Sequence, residues 1–185
     1  MVTAPNSARS REKRIELFQE MMSAAKPAVF HLWFQRNFAD AYSWAMAKRN
    51  FTRSSAVYSV LGYLLGLGDR HSENLLMDPA NGEVVQVDFN CLFLKGENFA
   101  VPEMVPFRLT HNMIDAMGML GFEGSFRHTC EDVMLITRQY RQLFAKQIST
   151  FLYDPLIEWC TIQRGQREGS QFETVSDNKI KDLQF

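Results

Sequence analysis

The sequence predicts a mainly α-helical protein with one small β-hairpin, an α+β class. Apolar residues recur at helical spacing in several segments, whereas two short apolar runs separated by turn residues occur at one place. The chain has 185 residues, of which 46% are hydrophobic and 12% aromatic. A chain of this length and composition can bury one sizeable core, so we expect a folded domain rather than a disordered segment.

The first third of the chain is predicted to be helical. Residues 10–25 have the spacing of an amphipathic helix. The apolar face of that helix consists of Ile15, Phe18, Met21 and Met22. Aromatic residues between positions 27 and 44 are dense enough for a packed helix pair. A further helix is predicted from Thr52, with Thr52 or Ser54 as its cap, and the glycines of 66–68 would end it.

The β-hairpin is predicted from two apolar runs, 75–77 and 84–87. The residues between them include Pro79 and the pair Asn81-Gly82, which favour a turn. Asn74 lies at one base of this hairpin and Asp88 at the other, so the fold is expected to bring the two together.

Helices are predicted again after the hairpin. Residues 91–107 contain two prolines and are expected to be irregular, after which Thr110 can cap a helix. A long helix is predicted from about Thr129 to Thr150, and Asp154-Pro155 would start another. The long helix would align Val133, Ile136, Thr137, Tyr140 and Phe144. The polar tail 161–185 is expected to be mobile.

Charge and cysteine content exclude several classes of protein. A net charge of -1, from 20 basic and 21 acidic side chains, provides no global field for nucleic acid or an anionic membrane. Cys91, Cys130 and Cys160 are an odd number without a CxxC pair, which favours neither a disulfide framework nor a zinc site. No apolar run approaches the roughly 20 residues that span a bilayer, so we expect an intracellular protein that is not secreted and has no membrane or direct nucleic-acid site.

The motif that indicates chemistry is Gly68–Asn74, followed by Asp88–Asn90. Phosphoryl transfer needs a divalent metal on the phosphates, a carboxylate near the attacking hydroxyl and a donor on the transferring group. Asp69 precedes Asn74 by five residues, as the catalytic Asp precedes the metal-binding Asn in protein kinases. Asp69 is therefore the candidate base and His71 the candidate donor to the γ-phosphate of ATP. Asn74 and Asp88 are candidate ligands of Mg²⁺, with Mn²⁺ as the alternative.

Each of these residues also has a plain structural interpretation. Asp69 could cap a turn, His71 could be a satisfied buried histidine, and Asp88 could simply end a strand. The ordered set, placed on loop and hairpin, favours an active site over three separate structural roles. The four histidines lack metal-ligand spacing, and Cys91 lies in an apolar stretch typical of a core.

Three blocks, 63–71, 87–93 and 101–110, resemble the phosphatidylinositol-3-kinase-related protein kinases, which have a PI3/PI4-kinase catalytic domain. Asn90, where related kinases commonly have Gly, and the run Lys95–Glu97 resemble the ATR branch of that family. Asn tolerates positive φ better than other non-glycine residues, so Asn90 is expected to keep a turn that Gly would form.

The resemblance implies a carboxy-terminal kinase lobe over residues 1–160, with a catalytic loop at 68–74 and a metal motif at 88–90. It implies Asp69 as base, His71 as an aid to transfer, and Asn74 and Asp88 as the residues that hold Mg²⁺ and ATP. The activation segment would be 88–107, including Asp88, Phe89, Asn90, Lys95, Pro106 and Phe107.

The resemblance also implies the biological setting of a DNA-damage checkpoint and repair kinase. Substrates would be proteins with Ser or Thr followed by Gln, in the nucleus, with an ATR-interacting partner protein on coated single-stranded DNA. The first glycine is Gly62, so we expect no Gly-rich phosphate loop before the motif and expect the amino-terminal lobe to be absent. The chain alone is therefore expected to bind Mg-ATP weakly and to turn over little.

Two other functions remain open at this stage. A lipid kinase of the same superfamily shares the motif, but a phosphoinositide headgroup requires clustered basic residues, and Lys95 is the one basic residue between Cys91 and Phe107. A noncatalytic binding module derived from a kinase is the second alternative function.

Arg70 is expected to pair with a carboxylate, either Glu97 or Glu103.

Overall fold

The computed structural model describes residues 5–25 and 28–152. The predicted helix from Asp154 and the tail 161–185 lie outside the described residues. The helices are α1 (Pro5–Ala24), α2 (Val29–Asn37), α3 (Ala41–Leu65), α4 (His111–Met117), α5 (Ser125–Gln139) and α6 (Arg141–Leu152). Strands β1 (Leu75–Met77) and β2 (Val84–Gln86) form a two-stranded sheet, which confirms the predicted class.

The chain divides into two compact units. The first unit contains the residues up to Ser55 together with 71–87 and 108–126, and the second contains 56–70, 88–107 and the residues from Arg127. The boundary falls within α3, between Ser55 and Ala56.

The core of the first unit is aromatic. Phe34 on α2 and Phe51 on α3 are almost completely buried, and their ring centroids lie 5.5 Å apart at 76°, an edge-to-face pair. The other buried members of this core are Phe38, Ala47, Val84, Met113 and Ala116. This core confirms the packed helix pair that the aromatic density between 27 and 44 predicts.

Helix α3 begins earlier than the sequence predicts. Asp40 Oδ1 accepts the N–H groups of Tyr42 at 3.0 Å and Ser43 at 2.9 Å, so Asp40 caps the helix. The predicted cap at Thr52 or Ser54 is wrong. Their hydroxyl groups instead donate to carbonyls four residues back in the continuous helix, at 2.8 Å each.

The hairpin is confirmed, with Leu76 opposite Val85 in an antiparallel register. Within the first unit, three contacts fasten it to α3. Val84 donates its N–H to Ser54 Oγ at 2.9 Å, and Asn50 Nδ2 donates to the Asn81 carbonyl at 3.0 Å. Gly82 has φ +78°, and a Cβ there would lie 2.8 Å from the Cβ of Ala47, so only glycine suits this turn.

The later helices form where the sequence predicts them, but the long helix is divided and its predicted face is partly exposed. Thr110 caps α4 as predicted, because its side chain accepts the N–H of Met113 at 3.4 Å. The predicted long helix is interrupted at Tyr140, where Leu143 N–H bonds to the Tyr140 carbonyl at 2.9 Å in a tight i to i+3 turn. Ile136 and Tyr140, which the periodicity aligns with Val133, Thr137 and Phe144, are each 51% exposed, so the predicted face is not wholly buried by the described residues.

Helix α1 is confirmed and extends further toward the amino terminus than predicted. Its apolar residues Ile15, Phe18 and Met21 are 46%, 59% and 61% exposed, so the described residues do not cover that face. None of the described helices is long and apolar enough to cross a bilayer.

Candidate active site

The candidate loop begins where α3 ends, in the second unit. Gly66 has φ +59°, which allows the chain to turn away from the helix after Leu65. Gly68 then donates its N–H to the Cys91 carbonyl at 2.7 Å, and the Gly66 carbonyl accepts the N–H of Leu94 at 2.8 Å. These backbone bonds hold residues 66–68 alongside residues 91–94.

Asp69 is held by its backbone in an uncommon conformation. Its φ is +59°, in the left-handed region where non-glycine residues are strained. Its N–H is shared between the two carboxylate oxygens of Glu103, at 2.9 and 3.0 Å. A charged acceptor makes this hydrogen bond stronger than one between neutral groups, and it stabilises the strained residue.

Arg70 joins the loop to the start of segment 88–107. It is 9% exposed, and its Nε donates to the Gly68 carbonyl at 2.8 Å. Its Nη2 donates to the Asp88 carbonyl, and its guanidinium lies 5.8 Å from the ring centre of Phe89. The sequence predicts that Arg70 pairs with Glu97 or Glu103. The contacts described for Arg70 are those with the Gly68 and Asp88 carbonyls and with Phe89. Glu103 accepts the N–H of Asp69.

Asp88 also has a left-handed backbone, with φ +58°. Its Oδ1 accepts the N–H of Asn90 at 3.1 Å, which closes an Asx turn. The positive φ expected at Asn90 therefore lies at Asp88 instead. Four of the described non-glycine residues have a positive φ, and all four belong to the second unit: Asp69, Asp88, Phe93 and Leu94.

His71 and Asn74 belong to the first unit. The His71 side chain is 48% exposed, so its interpretation as a buried histidine is wrong. Its Nδ1 accepts the N–H of Glu73 at 3.2 Å, and in the neutral ring the proton must then lie on Nε2. Asn74 is 6% exposed, and its carbonyl accepts the N–H of Val87 at 3.1 Å across the base of the hairpin.

Cys91 is buried near the carboxylates of Glu103 and Asp69. Burial raises the pKa of its thiol, and the negative charges of Glu103 and Asp69 raise it further. The prediction that Cys91 is a core residue is confirmed.

A cavity of about 460 Å³ lies within the second unit. The loop contributes Leu67 and Gly68 to its lining, and segment 88–107 contributes Gly96, Glu103 and Val105.

The two units thus contain different parts of the predicted site. Asp69 and Asp88 lie in the second unit, where Arg70 bonds the loop that contains Asp69 to the Asp88 carbonyl, whereas His71 and Asn74 lie in the first. Of the other predicted residues of segment 88–107, Phe89, Asn90, Lys95 and Pro106 are exposed and Phe107 is partly buried.

The sequence does not predict the contact between Glu103 and the Asp69 N–H. The available signal was the glycines that surround it. Gly68 and Gly96 have no positive φ, and a glycine that the backbone conformation does not require often marks a close approach of another group.

The comparisons with known proteins now identify the class. Residues 2–161 match the model of the family described as phosphatidylinositol 3- and 4-kinase, and the chain belongs to this family.

Among its curated relatives are protein kinases of the ATR, rad3 and MEC1 type. The chain is 42% identical to protein kinase rad3 of Schizosaccharomyces pombe over 168 residues, which is 91% of the chain and 7% of rad3. It is 48% identical to serine/threonine-protein kinase ATR of Drosophila melanogaster over 145 residues, which is 78% of the chain and 6% of that kinase. The chain therefore spans a small part of the length of these relatives.

Solved structures give the same fold. The FAT and kinase domain of CtTel1 superposes with a TM-score of 0.76 and 32% sequence identity, covering 93% of this chain and 12% of that chain. The Tel1 kinase in its butterfly symmetric dimer has a TM-score of 0.71 at the same identity, covering 84% of this chain and 7% of that chain.

Proposed function

We propose that the chain is the carboxy-terminal lobe of a serine/threonine protein kinase of the ATR type, spanning residues 1–160. The observation that carries the proposal is the restrained Asp69, whose backbone is bonded to Glu103 in a chain whose curated relatives are protein kinases. The reaction is transfer of the γ-phosphoryl group of ATP to a Ser or Thr hydroxyl that is followed by Gln.

Asp69 accepts the proton of the attacking hydroxyl. His71 donates a hydrogen bond from Nε2 to the transferring phosphoryl group, a role that the proton position set by Glu73 supports. Segment 88–107 is the activation segment, and its backbone bonds to the loop support Asp69 in its working conformation. Positioning and electrostatic stabilisation of this kind account for most of the catalysis of phosphoryl transfer.

Asn74 and Asp88 would hold Mg²⁺ with ATP, with Mn²⁺ as the alternative ion. Their amide and carboxylate oxygens are hard donors of the type that Mg²⁺ prefers, so the donor chemistry fits the ion. Bound metal would neutralise the phosphate oxygens. The pairing of Asn74 and Val87 main-chain groups restrains the first ligand, and the Asx turn restrains the second.

The biological role proposed is DNA-damage checkpoint signalling in the nucleus, with an ATR-interacting partner on coated single-stranded DNA. This part rests on the similarity to the ATR, MEC1 and rad3 kinases. The chain alone is proposed to bind Mg-ATP weakly and to have low turnover.

Two experiments test the function. Calorimetric titration of the purified chain with ATP, with and without Mg²⁺, should give Mg²⁺-dependent binding that Asp88→Asn abolishes. Because Asp→Asn keeps the size of the side chain and removes its charge, a loss indicates the metal rather than misfolding. Binding that Asp88→Asn leaves unchanged would contradict the assignment of Asp88.

The second experiment replaces the matching segment of rad3 with residues 2–161 of this chain. The chimera should phosphorylate a Ser-Gln peptide but not its Ser-Ala counterpart, and Asp69→Ala should abolish the activity. Phosphorylation of phosphatidylinositol in place of the peptide would favour the lipid kinase. A folded chimera that binds ATP and phosphorylates neither would favour the noncatalytic binding module.

A further inference from the structure

Glu103 is an unusual acceptor for the N–H of Asp69, because the two residues are 34 positions apart and both carboxylate oxygens lie within hydrogen-bond distance. Backbone N–H groups of loops are usually satisfied by neighbouring residues or by water. This contact therefore joins the start of the candidate catalytic loop to the later part of the candidate activation segment.

The carboxylate of Glu103 lies in a slot formed by two glycines, Gly68 and Gly96. A Cβ at Gly96 would stand 2.9 Å from Glu103 Cδ, and one at Gly68 would stand 3.4 Å from the same atom. Each of these added carbons would also meet Glu103 Oε2. The Glu103 N–H donates to the Gly96 carbonyl at 3.1 Å, so main chain and side chain are anchored at the same place.

The slot leaves the carboxylate little freedom to move away from Asp69. An unrestrained Glu side chain would lose conformational entropy on forming this bond, but packing between two glycines has already restricted its rotamers. The bond is therefore preorganised, and it opposes relaxation of Asp69 from the left-handed region.

We propose that Glu103 is a positioning residue for Asp69: by accepting its N–H, it fixes the backbone conformation that aims the Asp69 carboxylate. The catalytic consequence rests on the proposed function, since Asp69 is the base only if the chain is a kinase. The hydrogen bond from the Asp69 N–H to Glu103, and its effect on the Asp69 backbone, do not depend on the proposed function. Glu103 touches the Asp69 backbone and is not itself assigned a contact with ATP or with the reacting atoms.

The test compares two substitutions that fill the slot. Glu103→Gln retains an oxygen that can accept the N–H, whereas Glu103→Met has a similar length and cannot. Hydrogen exchange of the Asp69 amide in the full chain, measured by NMR, should stay within about threefold of the parent for Gln and accelerate at least about tenfold for Met. Asp132→Asn, which removes an exposed charge from α5 in the same unit, should change nothing.

Equal exchange in the Gln and Met variants, whether fast or slow, would overturn the proposal, because filling the slot would then be the whole role of the side chain. If Glu103→Met fails to fold, as judged by circular dichroism, Glu103→Leu, which also fills much of the slot and cannot accept the N–H, replaces it under the same criterion.

The rad3 chimera provides the catalytic readout. Glu103→Met should lower kcat about tenfold with little change in the KM for ATP, and Glu103→Gln should restore most of the rate. A raised KM with unchanged kcat would contradict positioning of the base. An inactive parent chimera would refute the proposed function, while amide exchange would still decide the structural role of Glu103.

Discussion

Substitution of Gly96 by alanine tests the packing on which the position of Glu103 depends. The new Cβ would stand 2.9 Å from Glu103 Cδ and 3.4 Å from Glu103 Cγ. Ordinary contacts between carbon atoms begin at about 3.5 Å, so Cδ must move by at least about 0.6 Å. The carboxylate leads this movement because it is the flexible end of the side chain, and its hydrogen bond to Asp69 N–H lengthens or breaks.

The expected magnitude follows from two opposing terms. Loss of a hydrogen bond to a charged acceptor costs about 1.5–3 kcal/mol. Gly→Ala at a position without positive φ recovers about 0.4–1 kcal/mol by restricting the unfolded chain. Gly96→Ala should therefore lower the free energy of unfolding by about 0.5–2.6 kcal/mol.

Urea denaturation followed by circular dichroism measures this change, and a double-mutant cycle assigns it. In a Glu103→Ala background the alanine at position 96 has no carboxylate to displace, so its cost should vanish or become a small gain. The matched control is Gly62→Ala, where the added Cβ would meet its nearest neighbour at 3.9 Å and should stabilise α3. An equal cost of Gly96→Ala in both backgrounds would refute the reasoning.

Three further predictions concern the cap, the core and the buried thiol. Thr110→Ala removes the acceptor of the Met113 N–H and should lower the free energy of unfolding by about 1 kcal/mol, measured in urea; an unchanged midpoint would show that the bond does not stabilise α4. Phe34→Ala should lower the free energy of unfolding by about 3–5 kcal/mol, because the ring is completely buried against Phe51. Phe34→Leu should lower the free energy of unfolding clearly less in the same assay. Because the pKa of Cys91 is raised, its alkylation rate should keep increasing with pH above the range where an exposed thiol levels off; a profile like that of a short cysteine peptide would contradict this.

The sequence predicts the elements whose signals are local. The hairpin runs, the Thr110 cap and the end of α3 at the glycines after Leu65 each depend on residues a few positions apart, and each is confirmed. The class of the fold follows from the same periodicities.

The missed features depend on distance or on competing signals. Thr52 and Ser54 have the residue types of a cap, but a hydroxyl can equally bond to a carbonyl inside a helix, and sequence alone does not distinguish these uses. The contact of Glu103 with Asp69 spans 34 positions and requires the fold itself. The sequence likewise predicts the left-handed backbone at Asn90, because Asn favours that conformation, whereas the structure has it at Asp88.

The bond from Val84 to Ser54 also protects the protein against self-association. In the observed register Val84 is opposite Met77 and next to the Asp78–Glu83 bonded pair, so its N–H points away from β1 toward the outer edge of the sheet. An open edge donor of this kind can recruit a strand from another molecule and begin aggregation. Because a hydroxyl of α3 already occupies this donor, a foreign strand would have to displace a helix contact before it could pair at this position.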